Sequence, residues 1–133
     1  MQCRVLVCDD SEIFRMAVRK FLSAHAFVDL VGESSHFAES IQMVADLRPD
    51  LVILDLRMVP EIATSPRPLT NVCNAKRLLV VSASAGQEDR DLAEAMGADA
   101  FLDKMDFDAK LIPTIVWLSS NASAQPMRLI PIG

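Results

Sequence analysis

Four short apolar runs each end on a polar residue, and segments with helical periodicity separate them. Cys3-Arg-Val-Leu-Val-Cys8 leads into Asp9 and Asp10. Leu51-Val-Ile-Leu54 leads into Asp55, Leu78-Leu-Val-Val81 into Ser82, and Ala100-Phe-Leu-Asp103 into Lys104. Strands alternating with helices build a parallel sheet covered by helices on both faces. In such a sheet all carboxyl ends lie on one edge, and ligands bind there where the strand order reverses. The pattern predicts that three carboxylates, a hydroxyl and an ammonium, distant in sequence, converge on one small site.

The remaining segments fit this plan. Ser11 caps a first helix with Glu12 in its first turn and an apolar stripe of Ile13, Phe14, Ala17, Val18, Phe21 and Leu22. Residues Val28 to Gly32 form a weaker second strand. Phe37 to Leu47 is a second helix that stops before Arg48-Pro49. The third strand is apolar on both faces and belongs mid-sheet. Pro60, Pro66 and Pro68 exclude a long helix across 57–77, so only a shortened third helix is expected after Ser65, with Leu69, Val72 and Cys73 at helical spacing. Gln87 to Met96 is a polar fourth helix closed by Gly97. Asp106 is expected to cap a fifth, reaching Leu118. Pro113 predicts a kink near Ala109. Residues 1–118 are thus one domain, and 119–133 have the composition of a linker.

Composition narrows the function classes. A net charge of -5 argues against a nucleic-acid surface. No apolar run approaches the ~18 residues of a membrane span. Met1 to Arg4 runs straight into the first strand, leaving no stretch for a secretory signal. Cys3, Cys8 and Cys73 have no metal-type spacing and read as reduced thiols, so a cytoplasmic protein is expected. His25 and His36 read as ordinary surface or half-buried imidazoles, and the Asn121-Ala-Ser123 sequon has no role in a cytoplasmic chain.

Crowded carboxylates resist ionisation unless a cation joins them. Mg²⁺, which prefers oxygen ligands, answers that need. Asp10 and Asp55 are the expected direct ligands, with the backbone carbonyl of Arg57 a further one and Asp9 in support through water. Asp55 then doubles as a nucleophile toward a phosphoryl group. Lys104 neutralises charge on the phosphoryl oxygens, and Ser82 donates a hydroxyl.

These pieces resemble a response-regulator receiver domain of the CheY-like type. The resemblance covers residues 3 to about 118 and rests on Val7-Cys-Asp-Asp-Ser11, Arg48 to Met58, Val80-Val-Ser-Ala83 and Gly97 to Lys104. Gly32-Glu33, Asp55-Leu-Arg-Met58 and a non-proline after Lys104 are closest to the receivers of NarL/FixJ-type transcription factors. The resemblance implies a five-stranded sheet of order 2-1-3-4-5 and a histidine kinase, or a phosphotransfer protein, as partner. It also implies Asp55 as phosphoacceptor, and Ser82 and Phe101 as switch residues. Two departures stand out. Val59 separates Met58 from Pro60 with no glycine following, and Met105 stands where many receivers have proline. The altered loop leaves open a second reading, a pseudo-receiver that binds partners without phosphorylation. A haloacid-dehalogenase-type enzyme requires a second Asp at position 57, where this chain has Arg57. Finally, Leu111, Ile112, Ile115, Val116, Trp117 and Leu118 cover more than one face of the fifth helix and suggest a homodimer surface on 111–118.

Overall fold

The computed structural model describes residues 2–60, 76–84 and 86–120. Strands β1 (Cys3–Cys8), β2 (Val28–Ser34), β3 (Leu51–Asp55), β4 (Arg77–Ser82) and β5 (Ala100–Asp103) alternate with helices α1 (Glu12–Ser23), α2 (Phe37–Leu47), α3 (Gln87–Ala95) and α4 (Phe107–Ser120). All strand pairs are parallel and the order is β2-β1-β3-β4-β5. The short third helix expected after Ser65, and the tail beyond residue 120, lie outside the described residues. The helices expected fourth and fifth are therefore α3 and α4.

Side chains alternate across the sheet and sort the core into two layers. Val5, Val7, Ile53, Val81 and Leu102 face α1 and α4, meeting Phe14, Val18, Leu22, Leu111, Ile115 and Leu118. Leu6, Cys8, Leu54, Val80 and Phe101 face α2 and α3, meeting Val44, Ala93 and Met96. Every residue of β3 is buried, as expected for a central strand covered on both faces. Replacing Ile53 or Leu54 by Ala in such a strand costs roughly 2–5 kcal/mol.

Local signals account for the element ends. The Ser11 side chain accepts from Phe14 N at the start of α1. Gly97, just past α3, takes φ 88°, a conformation that favours glycine. Arg48 also adopts positive φ, and there the Arg4 guanidinium spans the last carbonyls, donating to Leu47 O at 2.7 Å and Arg48 O at 3.0 Å.

Five expectations need correction. Ile13 is not core: it is 81% exposed, because Phe14, Val18 and Leu22 define the buried line and Ile13 lies about 100° around the helix from it. Strand β2 runs two residues further, to Ser34, which pairs with Cys8 and is buried. Asp106 does not cap α4. A 3-10 turn over Lys104–Asp106 leads into the helix, Asp103 accepts from Met105 N, and Asp106 faces Lys110 at 3.5 Å instead. The apolar excess on α4 is also smaller than expected. Leu118 is buried, Trp117 packs against the core, and of these three only Val116 is exposed. The helix is continuous through Pro113 and extends to Ser120, past the expected boundary at 118.

Candidate metal and phosphoacceptor site

Strand order reverses between β1 and β3, and the carboxyl ends of these two strands carry the acidic residues. Asp9 follows β1 and is fully buried, Asp10 beside it is exposed, and Asp55 ends β3 at 3% exposure. One carboxylate oxygen from each lies within 4.8 Å of the others. Lys104, following β5, reaches across to them. Its Nζ stands 2.6 Å from Asp9 Oδ2 and 3.7 Å from Asp55 Oδ2. The Phe14 ring supports the same ammonium, 4.5 Å from Nζ. So the sheet brings together Asp9, Asp10, Asp55 and Lys104, four of the residues singled out in the sequence.

The backbone fixes the two buried carboxylates. Asp9 Oδ1 accepts from Ser11 N at 2.8 Å, closing the turn that starts α1. Asp55 Oδ1 accepts from Arg57 N at 3.3 Å in a 3-10 turn over Leu56–Met58, while the Arg57 side chain is exposed. Asp9 Oδ2 is close to Lys104 but off the direction of a hydrogen bond, so this buried oxygen has no hydrogen-bond partner. Burial pushes the Asp55 carboxyl up. The Asp9 charge adds to this, Lys104 and the Arg57 amide oppose it, and Asp10 adds a further upward push. Three clustered carboxylates with one ammonium among them are a net negative set of oxygen donors, which fits a hard divalent cation such as Mg²⁺.

Two expected members sit differently. Ser82 ends β4, fully buried, but its hydroxyl lies 2.8 Å from Asp89 Oδ2 on α3. Phe101 is 3% exposed and packs in the layer of α3, not of α4, and the Arg90 guanidinium lies 5.1 Å from its ring centroid.

The sequence reading missed three contributors. Arg15 donates to the Asp9 carbonyl at 2.6 Å and lies 3.4 Å from Glu33, which also pairs with Arg19. The Arg19 hydrogen bond holds the Glu33 carboxyl below its ordinary value. Asp89 is the third. The available signal for Arg15 was its place one turn after the Ser11 cap, on the side of the helix facing β2.

A doubly wound α/β domain with an acidic, lysine-bearing cluster at its switch point is a narrow class. The family model for "Response regulator receiver domain" matches residues 5–116. The chain belongs to that family: it is a response regulator receiver domain of two-component systems. It is 32% identical over 100 residues to the nitrate/nitrite response regulator protein NarL of Escherichia coli K12, covering 74% of this chain and 46% of that protein. It is 35% identical over 99 residues to the protein-glutamate methylesterase/protein-glutamine glutaminase of a Nocardioides species, covering 73% of this chain and 27% of that one. Among solved structures it is similar to the signal receiver domain of the response regulator NarL from Mycobacterium tuberculosis. That likeness has a TM-score of 0.78 and 26% identity, covering 90% of this chain and 98% of the other. The chain thus spans less than half the length of these two curated relatives. Among the described residues, no helix is long and apolar enough to cross a membrane.

Proposed function

We propose that the domain is a phosphorylation-gated switch in which Asp55 accepts a phosphoryl group from a histidine kinase or phosphotransfer protein. The observation that carries this reading is the placement of Asp55. It ends the central strand with one carboxylate oxygen tied to Arg57 N and the other 3.7 Å from the Lys104 ammonium. One oxygen is thereby oriented and the other faces positive charge, as an attacking carboxylate requires.

Asp55 forms the new O–P bond as the bond from phosphorus to the donor breaks, and the donor leaves with the bonding electrons. Asp10, Asp55 and the Arg57 carbonyl would hold Mg²⁺, with Asp9 linked through water. The bound ion would supply neutralising charge at the phosphoryl oxygens. Lys104 supplies the second positive charge, held in place by Asp9 and Phe14. The Ser82 hydroxyl is the donor for a remaining oxygen once it leaves Asp89. The domain assists its own phosphorylation and is not a turnover enzyme on an external substrate. Its output is a partner protein or a further domain, with no direct nucleic-acid contact by residues 1–118.

Intact-mass measurement after incubation with acetyl phosphate and Mg²⁺ tests the assignment. The wild type should gain one phosphoryl group and Asp55→Asn none. Equal gain in the variant rejects Asp55. No gain by the wild type favours the phosphorylation-independent binding module instead.

A further inference from the structure

Ser82 is fully buried and its hydroxyl carries a single proton. Two acceptors face that oxygen: the Ser84 carbonyl at 3.2 Å and Asp89 Oδ2 at 2.8 Å. The carboxylate is nearer and charged, so it takes the proton in the stronger bond. Ser84 N donates to the same oxygen at 3.1 Å and fixes its lone pairs. In this arrangement Ser82 has no proton to offer a group on Asp55.

Asp89 has an ordinary explanation, since acidic residues favour the first turn of a helix. Glu88 supplies that charge one residue earlier, and Asp89 spends an oxygen on a side chain seven residues back. The next residue, Arg90, lays its guanidinium over Phe101. Consecutive residues of one turn therefore hold both side chains expected to respond to phosphorylation.

We infer that Asp89 is a positioning residue for Ser82: it binds the hydroxyl in the unphosphorylated state and competes for it with a phosphoryl group on Asp55. This rests on the phosphoacceptor reading of Asp55. The two states share one proton, so each acceptor weakens the other's hold, and the first turn of α3 must release Ser82 for the switch to complete. Removing Asp89 makes the phosphorylated arrangement easier to reach.

Beryllofluoride, a phosphoryl mimic, turns this competition into an equilibrium. Its affinity in the presence of Mg²⁺ is measured by titration calorimetry on wild type, Asp89→Ala, Asp89→Asn, Ser82→Ala and the double variant Ser82→Ala/Asp89→Ala. Asp89→Ala should bind roughly tenfold tighter than wild type, the scale of one hydrogen bond to a charged group. Asp89→Asn keeps an acceptor oxygen without the charge and should fall between, which also covers a misfolded alanine variant. In the Ser82→Ala background the Asp89 substitution should have no effect. That control separates loss of the hydrogen bond from simple loss of a nearby negative charge. Unchanged or weaker binding by both Asp89 variants overturns the inference, as does equal tightening in the Ser82→Ala background. Failure of the wild type to bind overturns the phosphoacceptor reading and this inference with it. Wild-type binding that is lost in Asp55→Asn keeps the former, whatever the Asp89 result.

Discussion

The two edges of the sheet use acidic residues in opposite ways. At the amino edge, Asp50 accepts from Arg4 N at 2.9 Å and faces Lys76 at 3.2 Å. Asp99 accepts from Leu78 N at 2.8 Å and faces Arg77 at 3.4 Å. Each carboxylate there ties the start of a strand to a loop and has its own cation. At the carboxyl edge, Asp9 and Asp55 share Lys104, and Asp10 adds a third carboxylate beside them. Asp50 and Asp55 register the difference, whereas burial keeps the Asp99 carboxyl above its ordinary value despite the Leu78 amide and Arg77. Burial pushes Asp50 up, but the Arg4 amide and Lys76 outweigh it and bring the group below its ordinary value. Asp55, also buried, is left above its own. Acidic residues with dedicated partners stabilise a fold, and those without leave room for a ligand.

Substitutions at the two edges should therefore differ in kind. The largest effect is expected at Lys104. Lys104→Ala removes the only ammonium near Asp55 among the described residues and should slow phosphorylation by acetyl phosphate roughly 100- to 1000-fold. Lys76→Ala, at the far edge, should leave that rate unchanged. Time courses of phosphoprotein formation compare them, and equal slowing would erase the distinction between the edges.

Asp50→Ala should destabilise the domain by roughly 1–2 kcal/mol at neutral pH, because the Arg4 amide loses its charged acceptor. The folded value of Asp50 is lowered, so its contribution is present above the ordinary carboxylate range. It is lost as pH falls through the folded value. The gap between wild type and variant in urea unfolding should accordingly narrow toward acid.

Asp55→Asn should have the opposite sign and a smaller size. Because the folded value of Asp55 is raised, its ionisation works against folding. The metal-free variant should melt above the wild type at neutral pH. That advantage should shrink as pH falls through the raised value, where the wild-type carboxyl is protonated too. Calorimetry in chelator checks it, and a lower melting temperature for the variant would show that Asp55 is already satisfied.

The carboxyl-edge half of this contrast was legible in the sequence, and the amino-edge roles of Asp50 and Asp99 were not. The strand ends at Asp9, Asp55, Ser82 and Lys104 follow short apolar runs that alternate with helical segments, the pattern of buried parallel strands. Topology then forces those ends together. Helix faces were less legible. Ile13 and Phe14 are both apolar and adjacent, and only packing against Phe107, 5.3 Å from the Phe14 ring, selects Phe14. The apolar width of α4 was read as surplus, yet Leu118 and Trp117 are absorbed by the core. The hydrogen bond from Ser82 to Asp89 gave no signal. Asp89 looks like any acidic residue at a helix start until its oxygen is found on Ser82. The altered loop after Met58 was visible as a departure, and residues 61–75 lie outside those described.

Melting temperature against Mg²⁺ concentration tests the central claim, that the carboxyl edge holds unsatisfied negative charge awaiting a cation. An ion bound by the folded state alone raises stability with its concentration. The wild type should climb steadily with Mg²⁺, while Asp10→Ala should lose that dependence and Asp50→Ala should keep it from a lower starting point. A slope in Asp10→Ala equal to that of the wild type would contradict the account.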